Sequence, residues 1–326
     1  MEKRIDWIDC AKGFGILCVI IGHTPISKDL HNFIYSFHMP LFFLLSGFFF
    51  LKKQRTWGEE FKNKFKTLIV PFVIFNLITF CFYKMLVPVL NGKDIDVSSF
   101  GTLCLGMITG NRVTTWLWFI LVLFLAEQLI YIIFWKRTHI WFKTFAVAAL
   151  GCIVNYYVKE PQLMCIDNLL IPASFIMFGI AIREHKLNYN KKYNFLLLVI
   201  YVVFAYLSIK STGNKGIEMY ADRYGNYLYF YISSVAAIIL IINAFIKLPS
   251  SRILIFLGKN SLIIYCVHKM LMRLIIITLD KSGYVVGTSK LDSFIYCMIL
   301  IVGMIILSVP VCYVVNKFTP FIIGKK

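Results

Sequence analysis

The chain has 326 residues, 59% of them apolar, 17% aromatic and only 15% charged, which excludes an ordinary soluble domain and identifies a polytopic membrane protein. A net charge of +18 would point to nucleic acid in a soluble chain. Here the basic residues answer first to loop topology, and no nucleic-acid partner is expected. The nine cysteines lie mostly in apolar runs with no CxxC pair, so they read as small buried side chains and neither a zinc site nor a disulfide framework is expected.

Apolar runs that cross a bilayer, or nearly so, fall at about 8–25, 34–51, 66–90, 114–135 and 141–158 in the first half. The second half gives about 166–183, 194–210, 227–247, 260–279 and 293–316. The expected fold is therefore an all-α integral membrane bundle of about ten transmembrane helices. With the N-terminus inside, the inner segments collect Lys3 and Arg4, the cluster from Lys52 to Lys66, Lys136 with Arg137 and Lys143, and the groups at 183–192, 247–259 and 317–326. The outer segments hold fewer basic residues, so both termini are expected in the cytoplasm. No small-residue cleavage site follows Met1 to Trp7, and the first helix is expected to stay in the mature protein. No repeat or low-complexity linker divides the chain, which reads as one membrane domain over 1–326. Within the outer loop at 91–113, Phe100 to Thr109 is apolar but too short to span, and fits a re-entrant or interfacial piece.

The first run, Asp9-Cys-Ala-Lys12 through Gly-His23, sets three ionisable groups into an apolar segment. At about 100° per residue, Asp9, Lys12 and His23 share one face, and Lys12 and His23 are about 16 Å apart along the axis. They mark two depths of one polar passage, or else a snorkelling Lys and a His at the outer edge. Asp9 lies at the i,i+3 spacing from Lys12 and about 21 Å of rise from His23, too far to orient that imidazole. Orientation of His23 falls to His38, Tyr35 or a later helix.

In the second run, Ser36-Phe-His38-Met-Pro40, the proline suits a first helical turn, so His38 is expected just before the helix and near His23 across a short hairpin. The basic cluster Lys62, Lys64 and Lys66, following Lys52, Lys53 and Arg55, fits either the phosphates of a nucleotide-containing donor or anionic lipid. The fourth run carries Trp116 and Trp118, ordinary belt residues or part of an acceptor site, and then Glu127. A carboxylate at that depth needs a partner, and Lys12 is the one expected. In the ninth run, His268, Lys269 and Arg273 are expected to line the same interior as His23 or to balance Glu127. The outer loop from Glu218 to Tyr227 mixes aromatic and polar groups, as carbohydrate sites and plain surface loops both do.

Lys12 followed by ten residues and His23, Ser36-Phe-His-Met-Pro40 through Ser46-Gly47-Phe48, the basic run before the third helix, Leu117-Trp-Phe, and Leu257-Gly-Lys-Asn-Ser through His268 together resemble the acyltransferase type 3 family. The nearest branch resembles the fucose 4-O-acetylase-like membrane acetyltransferases. The resemblance covers essentially the whole chain. It implies a ten-helix, multi-pass enzyme of the bacterial cytoplasmic membrane, an O-acyltransferase that moves an acyl group, usually acetyl, from cytoplasmic acyl-CoA to a hydroxyl of an extracytoplasmic glycan. It carries an essential role onto Lys12 and His23. Many members have Arg at the first position, and Lys keeps the charge but loses the bidentate fork.

The expected chemistry is that His23, with His38 and Asp9 as the other catalytic candidates, acts as general base on the acceptor hydroxyl or accepts the acetyl group itself. Lys12, Lys62, Lys64 and Lys66 would hold the phosphates of acetyl-CoA; Trp116, Trp118, Glu127 and His268 would contact the glycan or lipid-linked sugar acceptor. The thioester supplies the driving force, so no metal and no permanently bound cofactor are expected. The rival is a transporter or flippase of lipid-linked sugars, whose buried charges line a path without making bonds.

Overall fold

A computed structural model describes residues 6–50, 56–95, 97–109, 117–133, 138–158, 168–185, 191–213, 215–284, 287 and 289–325. Every regular element of any length among them is helical, and no named strand occurs. In chain order the helices are α1 (Asp6–Gly22), α2 (Lys28–Tyr35), α3 (His38–Phe50), α4 (Trp57–Lys64), α5 (Val70–Cys81), α6 (Val87–Leu90) and α7 (Phe100–Thr109). They continue with α8 (Trp118–Ile133), α9 (Ile140–Tyr157), α10 (Leu170–Glu184), α11 (Asn194–Ser211), α12 (Tyr227–Lys247), α13 (Arg252–Lys259), α14 (Ser261–Lys281) and α15 (Lys290–Phe318).

Each of the ten apolar runs contains a helix. Seven helical stretches among the described residues are long and apolar enough to cross a membrane: 28–50, 57–90, 140–157, 194–211, 227–247, 261–281 and 290–318. The helices α1, α8 and α10, with 17, 16 and 15 residues, are shorter than the roughly 20 residues a straight crossing takes. Large side chains such as Phe142 (75% exposed), Tyr157 (77%) and Phe195 (77%) face outward. Apolar surface on this scale is stable against lipid and not against water.

By contacts the chain forms two compact units, one of residues 1–50 and 178–312, the other of 51–177 and 313–326. In the first unit α1 packs on α13 at backbone distance. A Cβ on Gly13 would overlap the Leu254 carbonyl and one on Gly258 the Asp9 carbonyl, so both crossing points require glycine. The hydroxyl of Ser27 accepts from the Leu30 N–H and starts α2. The break between α2 and α3 falls at Ser36 and Phe37, with the Ser36 hydroxyl on the Phe33 carbonyl (2.7 Å), and Ser234 of α12 donating to the Ser36 carbonyl (2.6 Å). His38 is therefore the first residue of α3 and not the residue before it. None of the first turn's N–H groups needs a helical acceptor, so Pro40 is tolerated at the third position and the helix starts earlier than expected.

In the second unit the third run is longer than its hydropathy indicated, because Thr56 and Glu59 form a reciprocal capping box that starts α4. From Trp57 to Leu90 the chain is helical for 34 residues, with π-helical turns at Phe65–Ile69 and Phe82–Leu86. Each π turn ends two residues before a proline, Pro71 or Pro88, and the residue between bonds five residues back, Val70 to Phe65 and Val87 to Phe82. The wider turn accommodates the missing N–H and the pyrrolidine ring without breaking the rod.

Candidate active site

The site is built around the end of α1. His23 follows Gly22, and its imidazole lies 4.9 Å from that of His268 on α14, the rings inclined by 27°. On its other side Tyr35 of α2 meets it edge-on at 6.5 Å. That approach depends on Gly22, where a Cβ would come within 2.8 Å of the Tyr35 ring. Tyr35 also stacks on His31 at 3.8 Å and lies 4.6 Å from His38. Four of the six histidines of the chain thus gather around one tyrosine and the end of one helix.

The ring orientations are held by backbone carbonyls. Nδ1 of His38 bonds the Ile34 carbonyl at 2.9 Å and Nδ1 of His268 the Tyr265 carbonyl at 2.7 Å. A carbonyl only accepts, so in the neutral rings the proton sits on Nδ1 and Nε2 presents a lone pair. Among the described residues Nε2 of His268 is buried without a hydrogen-bond partner. An acidic group lies near this basic cluster: Glu218 is within electrostatic reach of His31, Tyr35 and Lys269. Its loop is a built piece of structure. Glu218 and Arg223 exchange two backbone hydrogen bonds (2.8 and 3.0 Å) and form an ion pair, while Gly216, with φ +85°, fits against the Asn32 side chain of α2.

Toward the start of α1, Lys12 places its ammonium 4.5 Å from the centre of the Phe49 ring. The Arg183 guanidinium of α10 donates to the Phe48 carbonyl, and Trp7 meets the Phe48 ring edge-on at 5.6 Å. Two cations therefore stand at the C-terminal end of α3, where the helix dipole is negative. Asp9 is 8% exposed, in the segment of α1 that packs on α13.

In the second unit, Glu127 of α8 is 1% exposed and both its oxygens meet the Lys64 ammonium, at 3.0 and 2.9 Å. The partner seen here is Lys64, a residue expected from the sequence to hold the donor phosphates. The pairing commits Lys64 to a carboxylate, whereas Lys62 and Lys66 are exposed. Trp118 is buried edge-on against Phe119 at 6.4 Å, and Trp116 lies outside the described residues, as do Lys52, Lys53 and Arg55.

The structure thus brings together His23, His38 and His268, with Lys12 and Asp9 on the same helix as the approach to His23. Lys62, Lys64, Lys66, Trp118 and Glu127 belong to the other unit. Sequence reasoning missed His31. Its signal was its spacing: His31, Tyr35 and His38 recur at i, i+4 and i+7, one face of a helix.

The sequence pattern of the acyltransferase domain family matches residues 5–314. The chain belongs to the acyltransferase type 3 family. No curated protein and no solved structure matches it. As a member of that family the chain is a membrane acyltransferase.

Proposed function

We propose that this acyltransferase is an O-acetyltransferase of the fucose 4-O-acetylase-like branch, taking acetyl from cytoplasmic acetyl-CoA and placing it on a hydroxyl of an extracytoplasmic glycan. The carrying observation is the pairing of His23 with a second imidazole and a tyrosine at one end of α1, with Lys12 eleven residues earlier on the same helix. An imidazole is the side chain suited to take a hydroxyl proton, or to accept an acyl group from a thioester, near neutral pH. A cation about 16 Å away along the axis suits the phosphate end of a long donor whose thioester reaches the imidazole.

In this reading all ten helices cross the bacterial cytoplasmic membrane, α1, α8 and α10 with help from flanking residues, and both termini are cytoplasmic. Residues 1–326 act as one domain, consistent with a family match that runs through both units. Exposed Lys62 and Lys66 draw the polyanionic donor toward the cytoplasmic surface, while Lys64 has a structural place opposite Glu127. Glu218 and its loop form the acceptor side, where a carboxylate can accept hydrogen bonds from sugar hydroxyls.

The test is transfer of labelled acetyl from acetyl-CoA to an envelope glycan extract by the protein in lipid vesicles. Label appearing in alkali-labile ester on glycan supports the reading. Movement of lipid-linked sugar across the bilayer with no acetyl ester formed would favour a flippase.

A further inference from the structure

Resting on the O-acyltransferase reading, we infer that His268 is a second catalytic residue: His23 carries the acyl group, and Nε2 of His268 takes the proton of the acceptor hydroxyl.

Chemistry requires a second base if His23 is acylated. In the first step a ring nitrogen of His23 attacks the thioester carbonyl, the C–S bond breaks and CoA leaves as thiolate. The acyl-imidazolium then has an acyl group on one nitrogen and a hydrogen on the other, and no lone pair remains to accept a proton. In the second step the hydroxyl oxygen attacks the same carbonyl carbon, the C–N bond breaks with its electron pair returning to His23, and the hydroxyl proton must go to a neighbouring base. That proton passes afterwards to the CoA thiolate or to solvent, which restores both imidazoles.

His268 fits this role in position, tautomer and surroundings. Its ring is the imidazole stacked on His23, at 4.9 Å, whereas the ring contact of His38 is with Tyr35, at 4.6 Å. A general base works with its nitrogen about 2.6–3.2 Å from the oxygen whose proton it removes, and this ring spacing leaves that reach to an oxygen approaching the edge of His23. Donation from Nδ1 to the Tyr265 carbonyl at 2.7 Å fixes the lone pair on Nε2. Nε2 is buried with no hydrogen-bond partner among the described residues, and the residue is 1% exposed. A buried acceptor left unpaired in a resting site is accounted for when the substrate supplies its donor.

The variant His268→Asn keeps an amide N–H that can reach the Tyr265 carbonyl and removes Nε2, while His268→Ala opens a space that added imidazole can enter. Protein in detergent is mixed with radiolabelled acetyl-CoA, and label on the protein is followed during discharge to water or to glycerol. The expected result is that His268→Asn still releases CoA and gains label, which His23→Gln does not, and discharges it about 100-fold or more slowly than wild type. Imidazole should speed discharge in His268→Ala and leave wild type unchanged. Discharge by His268→Asn within a few-fold of wild type would overturn the assignment. So would a folded His268→Asn that, like His23→Gln, gains no label, or a His268→Ala that imidazole does not rescue. Failure of wild type itself to release CoA would instead sink the acyltransferase reading beneath it.

Discussion

The imidazoles of His23 and His268, one at the end of α1 and the other on α14, lie 4.9 Å apart and within 27° of parallel. The first helix and the penultimate one thus meet at this pair, and substitutions around it carry the account's consequences.

Gly22→Ala should slow acyl transfer without unfolding the protein. The added methyl would stand 2.8 Å from the Tyr35 ring, which must shift to admit it and so alter its edge-on contact with His23. A displacement of this kind at a reacting group costs up to about 100-fold. The expected outcome is a fall in kcat of ten-fold or more with little change in KM for acetyl-CoA and little change in Tm; a normal kcat would show that Tyr35 does not position His23.

Lys12→Ala should weaken donor binding, whereas Lys12→Arg should retain it. Loss of a hydrogen bond to a charged group costs about 1.5–3 kcal/mol, or roughly 10- to 100-fold in KM for acetyl-CoA. Steady-state kinetics over a range of acetyl-CoA concentrations checks this. A drop in kcat at unchanged KM would place Lys12 with the chemistry and not with the phosphates.

Glu127→Gln should destabilise the second unit. The carboxylate is 1% exposed and paired with Lys64; because Lys64 is 22% exposed and keeps Glu60 at 3.9 Å, the loss stays below the about 3–5 kcal/mol of a fully buried pair. The Tm in detergent should fall clearly for Glu127→Gln and recover in part when Lys64→Met is added. Equal Tm for wild type and Glu127→Gln would mean that the pair contributes nothing to the fold.

Acid should slow transfer. Either role of His23 uses its neutral form, and an imidazole gains its proton as pH falls. Activity is therefore expected to be flat on the alkaline side and to decline toward acid, measured as acetyl ester formed at saturating acetyl-CoA. A rate that stays constant however far the pH is lowered while the protein remains folded would exclude a neutral imidazole from the rate-determining step.

Much of this was legible in the sequence, for physical reasons. A bilayer requires long apolar helices, so hydropathy located a helix in every expected run. Charges inside such runs are costly, which singled out Lys12, His23, Glu127 and His268 before any coordinates. Helical rise gives depth along one helix but not the identity of the neighbour at that depth. Lys64 was thus not legible as a partner of Glu127, and only tertiary structure shows the pair. The start of α3 was displaced because proline is compatible with several positions of a first turn. His31 went unnoticed because it lies in a short polar helix outside any membrane-spanning run of the hydropathy reading, though its spacing to Tyr35 and His38 was visible. The π turns before Pro71 and Pro88 were equally visible as prolines inside an apolar run.

The most direct test of the central claim is release of CoA thiol from acetyl-CoA by the purified protein in lipid, with His23→Ala and Lys12→Ala beside wild type. Steady thiol release by wild type, lost in His23→Ala and restored in Lys12→Ala by raising acetyl-CoA, is the predicted result. Folded wild type that releases no thiol even with envelope glycan extract present, or a His23→Ala protein that releases it at the wild-type rate, would contradict the account.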